Sequence, residues 1–144
     1  MDRAQYPVAA GGVAMDFARP VVELHAPRLM SDPRFSVVDE DPRKWGYIIF
    51  GNDQARIIVS VHHSGRDVSI RRRTPMREAV DFATPVDLFA SLERERPTWA
   101  GKFENALEYL DQNLDQVLQI TESDRAWDAF LSDAKGILEA TMGN

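Results

Sequence analysis

The chain has 144 residues, no cysteine and a formal net charge of −6. This length predicts a single domain over residues 1–144, and the lack of cysteine excludes disulfides, thiolate metal sites and cysteine nucleophiles. Residues 81–144 hold 13 acidic and 5 basic side chains, which argues against a role in nucleic-acid binding, because that role needs cationic side chains facing the phosphates.

The N-terminal part of the sequence predicts a helical region without a membrane segment. Its apolar runs are too short for a secretion signal or a membrane span, so we expect a cytoplasmic protein with no membrane contact. The run from Val13 to Met30 has helical spacing in Phe17, Val21, Leu24 and Arg28. Pro20 lies inside this run, and a proline there removes a helix hydrogen bond, which predicts a kink or two short helices.

The middle of the sequence predicts an antiparallel meander. Residues 34–39 form a candidate edge strand, and two-residue turns at Asn52-Asp53 and Ser64-Gly65 join three further strands between Trp45 and Arg73. Both turns would place the same apolar residues on one face: Ile48, Phe50, Ile57, Val59, Val61, Val68 and Ile70. Because a slip of one residue would move every side chain to the other face, this agreement supports the meander. The connection over residues 74–83 is a candidate for one more short strand.

The last third of the sequence predicts three helices. Thr84, Pro85 and Asp87 form a helix start with a capping box, and this helix ends before Pro97. The second helix has apolar residues at helical spacing from Trp99 to Leu118, and a second capping box at Thr121–Asp124 begins the third. We therefore expect an α+β fold with an N-terminal helix, a three- to four-stranded antiparallel meander and three C-terminal helices packed on the sheet.

The face of the sheet opposite the predicted core is the first candidate site. The side chains predicted on this face combine aromatic and aliphatic groups with arginines: Trp45, Tyr47, Ile49, Ile58, Arg56, Arg71 and Arg73. Such mixtures are typical of protein-binding hot spots. The alternatives are that the N-terminal helix covers this face, or that a second copy does so in a homodimer.

The second candidate site is an acidic stripe on the Trp99–Leu118 helix, opposite its apolar face. Its members are Glu104, Glu108, Asp111 and Asp115. The simpler interpretation is a solvated helix face. The alternative is a surface complementary to a basic protein partner.

The adjacent histidines are the third candidate. The predicted register places His62 opposite Asp67 on the outer face and His63 on the core side. A His–Asp pair can orient a general base, but it can also be a solvated polar pair. Adjacent strand residues point to opposite faces, so the two histidines cannot bind one metal ion together. With no recognisable catalytic or phosphate-binding motif beside them, we predict neither an enzyme nor a cofactor or metal site.

The segment YIIFGNDQARIIVSVHHSGRDVSI, followed by TPVDLFASL, resembles immunity proteins of bacterial polymorphic and contact-dependent toxin systems in style and layout, over about residues 30–120. This resemblance implies a cytoplasmic toxin inhibitor that binds a cognate toxin domain, and no functional residue is carried over from it. A toxin domain with a basic groove would suit the acidic stripe. The competing class is a dimeric secretion chaperone that holds a secreted substrate, and a small enzyme using His62 and Asp67 comes third.

Overall fold

The computed structural model describes residues 15–73 and 82–142, which form an α+β fold. Two short helices, α1 (Ala18–His25) and α2 (Pro27–Ser31), precede four strands: β1 (Ser36–Asp41), β2 (Tyr47–Gly51), β3 (Ala55–His62) and β4 (Gly65–Arg72). Four helices follow: α3 (Pro85–Glu93), α4 (Phe103–Gln112), α5 (Leu114–Ile120) and α6 (Asp124–Ala140). The strands pair antiparallel in the order β1-β2-β3-β4. The predicted layout is confirmed.

The predicted core face of the sheet is correct, although both predicted registers are wrong by two residues. Phe50 pairs with Ile57 rather than Ala55, and Val59 pairs with Val68 rather than Ile70. Since a shift of two residues leaves every side chain on the same face, all seven predicted core residues are at most 6% exposed. We call this the inner face.

The error comes from the two turns. Four residues, 52–55, separate the last paired residues Gly51 and Arg56, and the Asn52 side-chain oxygen accepts hydrogen bonds from the backbone N–H groups of Gln54 and Ala55. Asparagine often stabilises such turns in this way. The β3–β4 turn is formed by His63 and Ser64, one residue earlier than predicted.

The described helices pack on the inner face of the sheet. One core cluster joins that face to helical residues that include Val21, Val22, Leu29, Leu107, Leu110, Trp127 and Phe130. Polar side chains of the same inward-facing rows connect to helices as well: Arg19 of α1 pairs with Glu40 at 2.6 Å, and Glu104 of α4 pairs with Arg66 at 2.9 Å. Arg72 donates to the Thr121 carbonyl and pairs with Asp124, at the α5–α6 junction.

The N-terminal region forms the two short helices allowed by the sequence, but they are separated at Ala26 rather than at Pro20. Pro20 is the third residue of α1, in the first turn, where its missing N–H would have no helical partner. The buried side of α1 includes Val22, whereas Leu24 is 50% exposed, which corrects the predicted stripe. Residues 13–14 of the predicted helix and 74–81 of the candidate connecting strand lie outside the described residues. After them, Ala83 forms an antiparallel bridge with Ile70.

The long helix predicted from Trp99 to Leu118 is two helices. Trp99 precedes α4, and Asn113 interrupts the helix, with its side-chain N–H₂ donating to the Tyr109 carbonyl at 2.8 Å. A local side-chain bond of this kind competes with the regular helix pattern. The capping box of Thr84 and Asp87 is confirmed at the start of α3.

The start of α6 is capped differently from the prediction. Its N-cap is Ser123, whose side chain accepts the Ala126 N–H. The Thr121 hydroxyl instead donates to the Val117 carbonyl at 2.7 Å and accepts from the Gln54 side-chain amide at 2.9 Å. Thr121 therefore connects α5 to the β2–β3 loop.

Asp111 caps α2 from a distance in sequence. Ala26, the N-cap residue of α2, makes no side-chain capping bond. The Asp111 carboxylate accepts the Leu29 N–H at 2.7 Å and the Arg28 N–H at 3.3 Å. Asp111 is only 7% exposed, so its predicted place on a solvated stripe is wrong. Burial raises the pKa of its carboxyl group, although the two backbone hydrogen bonds act in the opposite direction.

We expect Asp111→Ala to lower the free energy of unfolding by about 1–3 kcal/mol, because the buried Leu29 N–H would lose its acceptor. Chemical denaturation followed by circular dichroism measures this loss. Asp115→Ala is the matched control: Asp115 pairs with Arg34 but its side chain is 75% exposed, so its loss should be smaller. Equal losses for both variants would contradict the capping role.

The raised pKa of the Asp111 carboxyl group predicts that the free energy of unfolding depends on pH. A folded-state pKa above the unfolded value means that protonation of Asp111 favours the folded chain. That contribution is fully present below the unfolded pKa and is lost as the pH rises through the folded pKa. The wild type should therefore gain stability relative to Asp111→Asn as the pH falls through this window, and denaturation of both proteins across the acidic range measures the difference. A difference independent of pH would contradict the raised pKa.

Candidate protein-binding surface

The second face of the sheet, which we call the outer face, is made of three rows of side chains that cross the four strands. These rows are Asp41, Tyr47, Ser60, Asp67; Asp39, Ile49, Ile58, Ser69; and Ser36, Gly51, Arg56, Arg71. Acidic groups lie toward one end, isoleucines occupy the middle row, and arginines lie at the other end. Tyr47, Ile49 and Ile58 are each partly exposed.

The side chains of the outer face interact within the sheet and its connections. The Tyr47 hydroxyl donates to Asp39 at 3.0 Å, and Asp67 pairs with His62 at 2.9 Å. Across residues 15–73 and 82–142, no helix forms a hydrogen bond or ion pair with an outward-facing side chain of the three rows. Since α1 packs into the inner-face cluster, it does not cover the outer face.

Phe82 belongs to this surface and was missed in the sequence. It is 53% exposed, and the Arg71 guanidinium lies 5.8 Å from the centre of its ring. An isolated aromatic residue in a connecting segment has no periodicity that would assign it to a face. The bridge between Ala83 and Ile70 and the contact with Arg71 place it beside β4.

Arg56 lies flat over Gly51, its partner on β2. Its Nη1 group donates to the carbonyl oxygens of Asn52 at 2.5 Å and Ala55 at 2.9 Å. A Cβ atom at position 51 would approach Arg56 Nη1 to 2.5 Å, so the path of the guanidinium depends on glycine there. Burial, followed by the charge of Arg73, lowers the pKa of Arg56.

The structure brings two of the three consecutive arginines to the arginine end of the outer face. Arg71 pairs across the strands with Arg56, a position that the predicted register had given to Arg73. Arg73 follows the end of β4, where its backbone N–H donates to the Gln54 carbonyl and its Nη1 lies 3.6 Å from Asp53. The Arg71 Nε atom is buried and has no hydrogen-bond partner.

Trp45 is separated from the row of Tyr47. It has a left-handed backbone, with φ 63°, and its N–H donates to the Asp16 carbonyl at 2.9 Å. Its ring lies 5.2 Å from that of His63, at the end of the sheet. Gly46 follows it, and a Cβ atom there would lie 2.1 Å from the Asp41 carbonyl oxygen. The outer-face prediction is therefore corrected for Trp45.

Trp45 and both histidines line an open cleft of about 680 Å³ between the β3–β4 turn and the start of α4. His63 is exposed in the turn, so its predicted place on the core side is wrong. His62 lies opposite Gly65 and reaches Asp67 diagonally, with both side chains more than half exposed. The described residues contain no group of three histidine or carboxylate side chains that could hold a metal ion.

The four predicted acidic residues each contact another element of the chain. Beyond Asp111, Glu104 pairs with Arg66, and Glu108 lies 3.0 Å from His25 Nδ1. Asp115 pairs with Arg34 at 2.5 Å. The stripe therefore links α4 and α5 to the N-terminal helices and the sheet. Its role in partner binding remains a prediction.

None of the helices within residues 15–73 and 82–142 combines the length and apolar composition that crossing a bilayer requires. Comparisons of the chain with protein-family models, curated proteins and solved structures found no match.

Proposed function

We propose that this chain is a cytoplasmic protein-binding module that neutralises a bacterial toxin domain, and that the toxin domain docks on the outer face. One observation carries the proposal: the helices pack on the inner face, and the outer face leaves Tyr47, Ile49 and Ile58 partly exposed between charged ends. Aromatic, aliphatic and arginine side chains together are the composition of a binding hot spot.

The size of the outer face sets how far the contact extends. Four strands at about 4.8 Å spacing and five residues at about 3.4 Å each cover roughly 320 Å². A stable complex buries about 800 Å² on each partner. The partner would therefore also contact the flanks of the sheet, where Phe82 and Arg73 lie on one side and the exposed Val37 and Val38 on the edge strand.

The acidic stripe gives the proposal less support. Glu104 and Asp115 already pair with arginines, and Asp111 is buried. A basic partner would have to compete with those internal cations, which reduces the gain from binding.

We expect Ile58→Glu to weaken partner binding at least about tenfold, since a charge would be buried against the partner in the centre of the interface. The partner is isolated from the producing cells with the tagged chain, and binding is measured with purified proteins by titration calorimetry. Leu24→Glu is the matched control, because Leu24 is an exposed apolar residue on α1. Its affinity should equal that of the wild type.

A growth assay tests neutralisation itself. The isolated partner should arrest a bacterial culture when expressed alone, and co-expression of the wild type or Leu24→Glu should restore growth, whereas Ile58→Glu should not. A partner that does not impair growth, or full protection by Ile58→Glu, would contradict the proposal.

A secretion chaperone is the second candidate function, and one specific feature favours it. An apolar groove of about 230 Å³ lies beside β4, and its lining includes Val68, Pro85, Val86, Phe103 and Ala106. A groove of this kind suits a side chain of an extended, unfolded segment.

Under the chaperone function, Val86→Asp should abolish binding of an unfolded secreted substrate, because a charge would enter the apolar groove. Fluorescence anisotropy of the labelled substrate measures this binding, first with the substrate unfolded and then with the substrate folded. The chaperone also predicts a dimer by analytical ultracentrifugation. Loss of partner binding in Ile58→Glu, with partner binding retained in Val86→Asp, would favour toxin neutralisation instead.

A further inference from the structure

We propose that the arginine patch, formed by Arg56, Arg71 and Arg73 with Phe82, binds a carboxylate-bearing segment of the protein partner. This inference rests on the proposed function, since it names the chemistry of the surface that docks on the outer face. The acidic stripe would favour a basic partner, whereas the arginine patch favours an acidic one, although the net charge of the chain is −6.

The geometry concentrates three guanidinium groups at one end of the outer face. Arg56 and Arg71 are paired across β3 and β4. Arg73 follows two residues after Arg71, and its charge acts on Arg56 strongly enough to lower the pKa of Arg56 further, after burial. A bound anion would offset this repulsion on Arg56.

Among the described residues, few contacts compensate the charges of these arginines. Arg71 has a buried Nε without a hydrogen-bond partner, and no carboxylate among residues 15–73 and 82–142 pairs with it. Arg56 donates only to backbone carbonyls. Asp53 is the one described acidic residue paired in the patch, 3.6 Å from Arg73, and its side chain is fully exposed. The contrast with the acidic stripe is clear, because each carboxylate there has a partner within the fold.

Phe82 defines what kind of acidic ligand fits. Its exposed ring holds the Arg71 guanidinium from one side, which keeps the planar group in place for bidentate contact with a carboxylate. The neighbouring Ile58 and Ile49 favour an apolar residue next to the acidic one. The expected ligand is therefore a protein segment with acidic and apolar side chains in succession.

A second copy of the chain is the competing occupant, because its aspartates could face the arginines. Two of those aspartates already have partners: Asp41 pairs with Arg43, and Asp67 with His62. Self-association would have to break these pairs or share them, so an acidic partner segment has the advantage.

The test is an NMR titration of the ¹⁵N-labelled full chain with blocked hexaglutamate peptide, at low ionic strength, where exposed charges are least screened. We expect hexaglutamate to shift the Nε–Hε signals of Arg56, Arg71 and Arg73, and blocked hexaglutamine or hexalysine to leave them unchanged. Arg71→Gln should weaken the binding about tenfold, because a charge-assisted hydrogen bond is lost.

Two further variants separate binding from folding. Arg73→Gln, at an exposed position, should also weaken hexaglutamate binding without a change in thermal unfolding. Arg125→Gln is the matched control, since it removes one exposed positive charge on α6 and should leave the affinity unchanged. Binding outside the patch, equal binding of hexaglutamine, or equal losses in all three variants would overturn the inference. Concentration-dependent shifts of the same signals without peptide would overturn it in favour of a second copy.

The outcome is separable from that of the proposed function. Hexaglutamate binding at the patch, together with unchanged toxin-domain binding by Ile58→Glu, would leave the anion site in place and reject the docking surface. Loss of toxin-domain binding in Ile58→Glu but not in Arg71→Gln or Arg73→Gln would retain the docking surface and reject the acidic contact.

Discussion

The two-residue period of the strands is the constraint on which the rest of the structure depends. It places every large apolar residue of β2, β3 and β4 except Tyr47, Ile49 and Ile58 on the inner face. Burial of an aliphatic side chain stabilises the fold by about 1.5–3 kcal/mol, so helices from both ends of the chain collect on that face. Tyr47, Ile49 and Ile58 remain partly exposed because the described helices have their apolar partners on the inner face.

Charged residues organise the helices over this core. The Asp111 carboxylate supplies the N-terminal cap that α2 lacks in its own sequence, and thereby fixes α2 against α4. Glu104 performs a related task between α4 and β4. The acidic helices are thus largely part of the internal scaffold, which leaves the arginines of the outer face as the less compensated charges of the surface described.

Properties that depend on local pattern could be predicted from the sequence. The inner face and the capping box at Thr84 are of this kind, because alternation and caps are encoded within a few residues. The register could not be predicted, because the Asn52 loop extends the turn without changing which side chains face inward. Asn113 broke a helix whose apolar spacing continued through it.

Properties of the candidate site that depend on contacts between distant residues could not be predicted from the sequence. The partners of Glu108 and Asp111 lie more than 80 residues away, so nothing near them distinguishes a solvated carboxylate from a paired one. Trp45 does not lie in its predicted row. Its left-handed backbone and the close approach of Gly46 to the Asp41 carbonyl oxygen turn the chain at that point. Tyr47, Arg56 and Arg71 lie on the predicted face because they are within regular strands.

A side chain at position 51 would need the space that Arg56 occupies, so a substitution at one position affects which residues the other can accept. The guanidinium occupies the space that a side chain at position 51 would fill. Drift at position 51 toward alanine or serine would displace Arg56, whereas the same change would be neutral in a lineage that already carries a short residue at position 56. The two positions should therefore vary together among related sequences, because a side chain at position 51 requires Arg56 to take another path.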